Sequence, residues 1–235
     1  MKIGILDVNP PHAHSVDWNK TPFDAYVRFL ERAKPSFEYE NYALVSEGKF
    51  PSSPETCDAY LITGSPKGVY EDDAWLVELK TFIQDAYKAG KKLIGICFGH
   101  QMIAHSLGGH VEKSKKGWGL GKKDFNLYTE KKWMTDFIES PSLYFVHQDQ
   151  VMELPPKAEL LGGNEFCPNL FYTIGDQVLG IQGHPEFPEA LVREIIETRL
   201  EVVGAELQAK ALRSLDESKP NNQLFAEWIV NFLLT

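Results

Sequence analysis

One stretch, KKLIGICFGHQMIAHSLGG at residues 91–109, constrains the fold more than any other. An apolar run at 92–96 passes directly through Gly95-Ile96-Cys97-Phe98-Gly99 into a helical segment at 98–107, closed by Gly108 and Gly109. A buried strand that turns straight into a helix is the unit of parallel sheets, whose connections must cross a sheet face before pairing again.

Other segments repeat this alternation. Residues 2–8 read as a strand that stops at Asn9-Pro10-Pro11, and 23–33 as a helix with Phe23, Tyr26, Val27 and Leu30 on one stripe. Residues 37–45 alternate weakly like a strand, and 58–63 form a short apolar run ending in the Gly64-Ser65-Pro66 turn. Residues 75–87 carry Trp75, Leu76, Leu79, Phe82, Ile83 and Tyr87 at helical steps, and Gly90 stops that helix. The pattern predicts a three-layer α/β fold, with a mostly parallel sheet covered by helices on both faces.

From about 111 to 151 the character changes. Segments 121–127 and 143–146 look like a small antiparallel excursion, followed by strand candidates at 160–161, 169–174 and 178–182. Residues 189–211 read as one long helix and 222–234 as a terminal one, whose Leu224, Trp228, Ile229 and Phe232 form a core-facing stripe. No repeat, low-complexity tract or linker divides the chain, so residues 1–235 are expected to form a single domain.

Composition narrows the function classes. With 33 acidic against 24 basic residues the net charge is −9, which argues against nucleic acid or an anionic membrane as a general partner. Five lysines between 113 and 123 read as a solvated loop face, and Trp118 among them suits a flap or plain packing equally. Three cysteines, Cys57, Cys97 and Cys167, are too few and odd in number for a disulfide framework and fit a reducing, cytoplasmic setting. The N-terminal apolar run is too short for a signal sequence and is broken by Asp7. No stretch approaches the roughly 18–20 apolar residues of a membrane helix.

Gly-x-Cys-x-Gly at a strand-to-helix corner is the cysteine counterpart of a nucleophile elbow. The flanking glycines remove Cβ atoms that would collide with neighbouring elements. The sulfur would sit at a helix N-terminus, where free N–H groups and the macrodipole favour a thiolate. The backbone N–H of Phe98 would be aimed at an attacked carbonyl. Taken alone, the pattern fits a space-filling cysteine as well. Cys57 and Cys167 lack such a setting and read as structural.

A nucleophilic thiol needs a base from another element. Of seven histidines, His100 and His105 lie on the elbow helix itself, and His12 and His14 lie in a proline-rich loop. His100, His105 and His110 are spaced by five, which does not match the i, i+4 metal pattern, so no metal site is expected. His147 and His184 remain. His184 ends an apolar strand, where active sites of open α/β sheets gather. Glu186 follows two residues on, with Pro185 stiffening the turn, and could orient the imidazole.

The segments Gly95-Ile-Cys-Phe-Gly-His-Gln101 and Gly183-His-Pro-Glu-Phe187 resemble the two signatures of class I glutamine amidotransferases. Ile62-Thr-Gly-Ser-Pro66 resembles the family's oxyanion segment, with Ser65 where glycine is usual. Val146-His-Gln-Asp-Gln-Val151 resembles its segment near bound glutamine, with Gln148 where glycine is often found. The resemblance implies a flavodoxin-like sheet and a Cys97, His184, Glu186 triad that forms a γ-glutamyl thioester. It implies oxyanion donors at Ser65 and Phe98 and substrate-binding residues Gly64, Gln101, His147 and Gln148. It implies no cofactor.

The chain carries neither Gly-x-x-x-x-Gly-Lys-[Ser/Thr] nor Gly-x-Gly-x-x-Gly, so acceptor chemistry is expected on a separate polypeptide or not at all. The motif wording resembles GMP-synthase-like amidotransferases that stand alone and plant-type γ-glutamyl peptidases. That implies a hydrolase of glutamine or γ-glutamyl compounds, with a small-molecule substrate. The alternative is a glutaminase subunit that supplies ammonia to a separate synthetase such as GMP synthase.

Overall fold

The computed structural model describes residues 1–10 and 21–235, so His12 and His14 fall outside the described residues. The elements run β1 (Lys2–Asp7), α1 (Pro22–Glu31), β2 (Glu38–Ala43), β3 (Ala59–Ile62), α2 (Ala74–Lys88), β4 (Lys92–Ile96) and α3 (Phe98–Ser106). Seven strands follow, then one more before the last helices. They are β5 (His110–Lys113), β6 (Gly119–Asp124), β7 (Asn126–Leu127), β8 (Ser142–His147), β9 (Asp149–Glu153), β10 (Glu159–Gly163) and β11 (Phe171–Ile174). The chain closes with β12 (Val178–Ile181), α4 (Glu189–Glu197), α5 (Leu200–Val203), α6 (Ala205–Glu217) and α7 (Asn222–Leu234).

Eight strands form the main sheet in the order β2-β1-β3-β4-β12-β11-β10-β7. The first five are parallel and the last three antiparallel, so the mostly parallel, flavodoxin-like expectation holds. Side-chain alternation divides the core. Ile3, Ile5, Leu61, Ile94 and Ile181 meet α1 and α7 on one face. Leu6, Tyr60, Ile62, Leu93 and Val178 meet α2 and α3 on the other. The α7 stripe is core, with Trp228, Ile229 and Phe232 fully buried. Truncating such an aromatic to alanine costs roughly 3–5 kcal/mol.

Outside the main sheet, β6 pairs antiparallel with β8 and β5 with β9, matching the expected excursion. Helices α4 and α6 lie on the β6–β8 pair and enclose a third apolar cluster that includes Leu120, Tyr144, Leu191 and Ile195. Among the described residues no helix is long and apolar enough to cross a membrane.

Two expectations need correcting. The single helix over 189–211 is three helices. The regular ladder of α4 ends at Thr198, whose N–H still donates to Glu194 O at 2.9 Å; the Arg199 N–H reaches back only to Ile196 O, and Gln208 Nε2 of the later helix donates to Ile196 O and Glu197 O. Gly204, at φ 79°, then turns the chain into α6. Second, the lysine stretch is not one solvated loop. Lys113, Lys115 and Lys116 are exposed, but Lys122 and Lys123 stand in β6 beneath α6. The Lys122 side chain is only 6% exposed and its ammonium donates to Ser218 Oγ at 2.7 Å. Apolar stems lie under the helix while the heads reach its edge.

Candidate active site

The carboxyl ends of β3, β4 and β12 lie side by side, and the chain leaves each with a chemically active residue. Cys97 occupies the corner between β4 and α3 at φ 53°, ψ −102°, a backbone conformation that a non-glycine residue holds only under strain. Its neighbours make the corner possible. A Cβ on Gly95 would stand 2.5 Å from Gly99 O, and one on Gly99 would stand 2.2 Å from Ile62 O. Helix α3 therefore packs against β4 and β3 more closely than alanine would allow. The Cys97 N–H donates to Ile181 O at 2.8 Å, pinning the corner to β12.

His184 is held by its backbone N–H, which donates to Tyr144 O at 2.8 Å, and by a stack on Phe187 with ring centroids 3.9 Å apart. Its Nδ1 donates to Glu186 Oε1 at 2.7 Å. That leaves Nε2 free, and His184 and Cys97 both line the same cavity. Burial works against charge on His184, but negative charge at Cys97 and Glu186 outweighs it and raises the imidazole pKa. The site thus favours an imidazolium at His184.

Glu186 is 3% exposed and is itself gripped. The hydroxyl of Tyr26 donates to Glu186 Oε1 at 2.9 Å and accepts the Gly64 N–H at 2.9 Å. Burial first, then the Glu186 charge, pushes the Tyr26 pKa up, so the phenol remains a neutral donor. Gly64 lies where these groups converge. A Cβ there would stand 3.0 Å from His184 Cε1 and 3.8 Å from Cys97 Cβ.

A second set of hydrogen bonds approaches the sulfur from α3. Gln101 Nε2 donates to Gln182 Oε1 at 3.0 Å and to Asp149 O at 2.7 Å. Gln182 Nε2 in turn donates to Cys97 Sγ at 3.6 Å. The Tyr70 hydroxyl donates to Asp149 Oδ2 at 2.9 Å, although burial raises the pKa of that carboxyl.

A cavity of about 410 Å³ opens over Cys97 and His184. It is also lined by Gly64, Ser65, Gln101, His147 and Gln148, so the sequence-derived substrate residues meet at one site. Phe98 and Glu186 are buried and do not line the cavity. His147 is a poor base here. Burial drives its pKa down to about 3, and its Nδ1–H is spent on Asp149 O at 3.0 Å. His100 is fully buried against Tyr172, also with a pKa near 3, and does not line the cavity. Among the described residues no cluster of three or more His, Cys, Asp or Glu side chains is placed to hold a metal ion.

Several participants escaped sequence reasoning. Tyr26 is indistinguishable from the apolar stripe of α1. Gln182 had a readable signal, because it directly precedes Gly183-His184 at a strand end. Asn9, Tyr70 and Arg199 reach the cavity from separate loops and junctions, and Trp118, read from sequence as a flap or as packing, lines it.

A protein-family model described as glutamine amidotransferase class-I matches residues 28–202. This chain belongs to the class I glutamine amidotransferases. Gamma-glutamyl peptidase 3 of Arabidopsis thaliana is 31% identical over 199 residues, covering 80% of each protein. A GMP synthase [glutamine-hydrolyzing] of Cytophaga hutchinsonii is 29% identical over 145 residues, 61% of this chain and 27% of that protein. A glutamine amidotransferase from Thermotoga maritima has the same fold, with a TM-score of 0.76 over 100% of this chain and 98% of the other, at 19% identity. Among class I amidotransferases, the chain is thus similar both to γ-glutamyl peptidases and to part of a GMP synthase.

Proposed function

We propose that this amidotransferase hydrolyses the γ-amide bond of glutamine or of γ-glutamyl compounds by itself, through a Cys97 thioester. The observation that carries the reading is the continuous line from Cys97 through His184 to Glu186, with the sulfur on a strained corner facing the cavity. Sulfur attacks the γ-carbonyl carbon, and the carbonyl π electrons move onto oxygen. Backbone N–H groups of Ser65 and Phe98 are the proposed donors to that oxyanion, and removal of one such donor typically costs roughly 10²–10³ in rate.

The oxyanion collapses as the C–N bond breaks, and the nitrogen takes a proton from His184 Nε2. Water then attacks the thioester carbon while His184 takes back a proton. Glutamate leaves and Cys97 returns. Glu186 orients the imidazole and offsets its charge. Gly64, Gln101, His147 and Gln148 form the proposed pocket for the glutamyl group, with His147 Nε2 a buried acceptor lacking a partner among the described residues. Three unpaired cysteines suit a cytoplasmic location.

The match to GMP synthase favours a second reading, a glutaminase subunit that hands ammonia to a separate synthetase. One experiment separates the two. Purified protein is incubated with glutamine and with γ-glutamyl dipeptides, and glutamate is measured. Release without any added protein, lost in Cys97→Ala, supports the stand-alone hydrolase. Silence relieved only by a synthetase chain overturns it.

A further inference from the structure

The break between α4 and α5 does more than shorten a helix. It delivers Arg199 to the wall of the cavity. The guanidinium lies over the Trp118 ring at 5.6 Å and donates to Ile195 O at 3.1 Å. No carboxylate lies within ion-pair distance of it among the described residues. The other cavity cations are differently placed. Lys67 is held by Glu71 and Asp73, and Lys113 is exposed with its charge acting on Asp149.

Burial lowers the pKa of Arg199, a desolvation cost that no carboxylate among the described residues offsets by an ion pair. A guanidinium presents several donors in a planar fork suited to a carboxylate. Three of its neighbours, Trp118, Ile195 and Phe187, are apolar and also line the cavity.

Chemistry tells which part of a substrate meets this wall. The departing nitrogen takes its proton from His184, so it must leave on the side of that imidazole. Phe187 stacks on His184, and Ile195, Trp118 and Arg199 extend the same wall outward. Gln101 and Asp149 enter the cavity from the side of α3, where Gln101 Nε2 donates to Asp149 O, and are left for the glutamyl group. At about 410 Å³ the cavity falls in the range of sites that hold ligands larger than a single amino acid.

Resting on the hydrolase reading above, we infer that Arg199 and Trp118 form a leaving-group subsite for amines that carry a carboxylate and an apolar body. The preferred substrates are then γ-glutamyl amino acids and short γ-glutamyl peptides with a free C-terminus, ahead of glutamine itself.

The test compares γ-glutamyl-phenylalanine with its C-terminal carboxamide. The wild-type protein should favour the acid in kcat/KM by roughly tenfold to a hundredfold, the scale of a hydrogen bond to a charged group. Arg199→Met should bring that ratio close to one, and Arg199→Lys should retain part of it. The ratio is internal to each protein, so a general loss of stability does not move it. A wild-type ratio near one overturns the subsite. So does an Arg199→Met protein that loses both compounds equally, since Arg199 would then hold the glutamyl carboxylate.

If neither compound nor glutamine is cleaved, the hydrolase reading fails, and binding still decides the subsite. Calorimetric titration of the Cys97→Ala protein should give the acid the tighter dissociation constant, and adding Arg199→Met should remove the difference. Equal affinities for acid and carboxamide overturn the subsite on their own.

Discussion

Tyr26 and Glu186, 160 positions apart in sequence, are joined by a 2.9 Å hydrogen bond in the core beneath the cavity. The same hydroxyl accepts the Gly64 N–H, so one phenol couples the Glu186 carboxylate to the loop that carries Ser65. Glu186 Oε2 has no partner among the described residues, which leaves Tyr26 and His184 as the groups holding this buried acid.

Tyr26→Phe removes the hydroxyl and keeps the ring. A buried N–H and a buried carboxylate each lose a partner, so stability should fall by about 1–3 kcal/mol. Activity should fall roughly tenfold, mainly in kcat, because the imidazole and the Ser65 loop lose a shared anchor. Urea unfolding and steady-state kinetics check the two effects. An unchanged kcat would show that Glu186 needs no such support.

Cys97 stores strain that substitution can reveal. Glycine accepts φ 53°, ψ −102° readily and alanine does not. Cys97→Gly should therefore be more stable than Cys97→Ala by about 1 kcal/mol, after the entropy of the unfolded glycine chain is deducted. Both variants should lose roughly 10⁴-fold or more in kcat. Equal midpoints for the two in denaturant would mean the corner is relaxed.

Buried neutral histidines should limit stability in acid. His100 and His147 have folded pKa values near 3, against an ordinary 6.5, so the unfolded chain binds protons that the folded one refuses. Above pH 6.5 neither contributes. As pH falls from 6.5 toward 3, each should remove about 1.4 kcal/mol of stability per pH unit. The His184 contribution has the opposite sign, since its folded pKa is raised: it is fully present below pH 6.5 and fades as pH rises through the folded value. His100→Gln should flatten the acid limb by close to one proton's slope, read from unfolding free energies between pH 4.5 and 6.5. An unchanged slope would refute the neutral assignment.

Much of this architecture was legible because its signals are local. The β4–Cys97–α3 corner was readable since two glycines bracket a cysteine between an apolar run and a helical stripe. His184 and Glu186 were readable from a strand end followed by proline. Where side chains from distant segments decide the outcome, the signal disappears. Residues 198–203 contain neither glycine nor proline, and the end of α4 shows only in the Arg199 N–H, which turns to Ile196 O, and in Gln208 of α6, which donates to Ile196 O and Glu197 O. Lys122 and Lys123 look solvated until α6 is laid across β6. Tyr26 satisfies its apolar helix stripe with the ring and the site with the hydroxyl, and only the second role is invisible in sequence.

Selective alkylation tests the environment of the sulfur. Cys57 and Cys167 are 3% and 1% exposed, and burial raises both thiol pKa values, that of Cys167 to about 12. Neither lines the main cavity, whereas Cys97 does and faces an imidazole whose protonated form is favoured. Near neutral pH iodoacetamide should therefore modify Cys97 first, with activity lost in step with that single adduct. Peptide mapping by mass spectrometry after partial reaction gives the order of labelling. Prior incubation with a γ-glutamyl compound should slow the reaction at Cys97 alone, because the substrate fills the same cavity. Equal labelling of all three thiols, or loss of activity that precedes Cys97 modification, would remove the sulfur from the chemistry assigned to it.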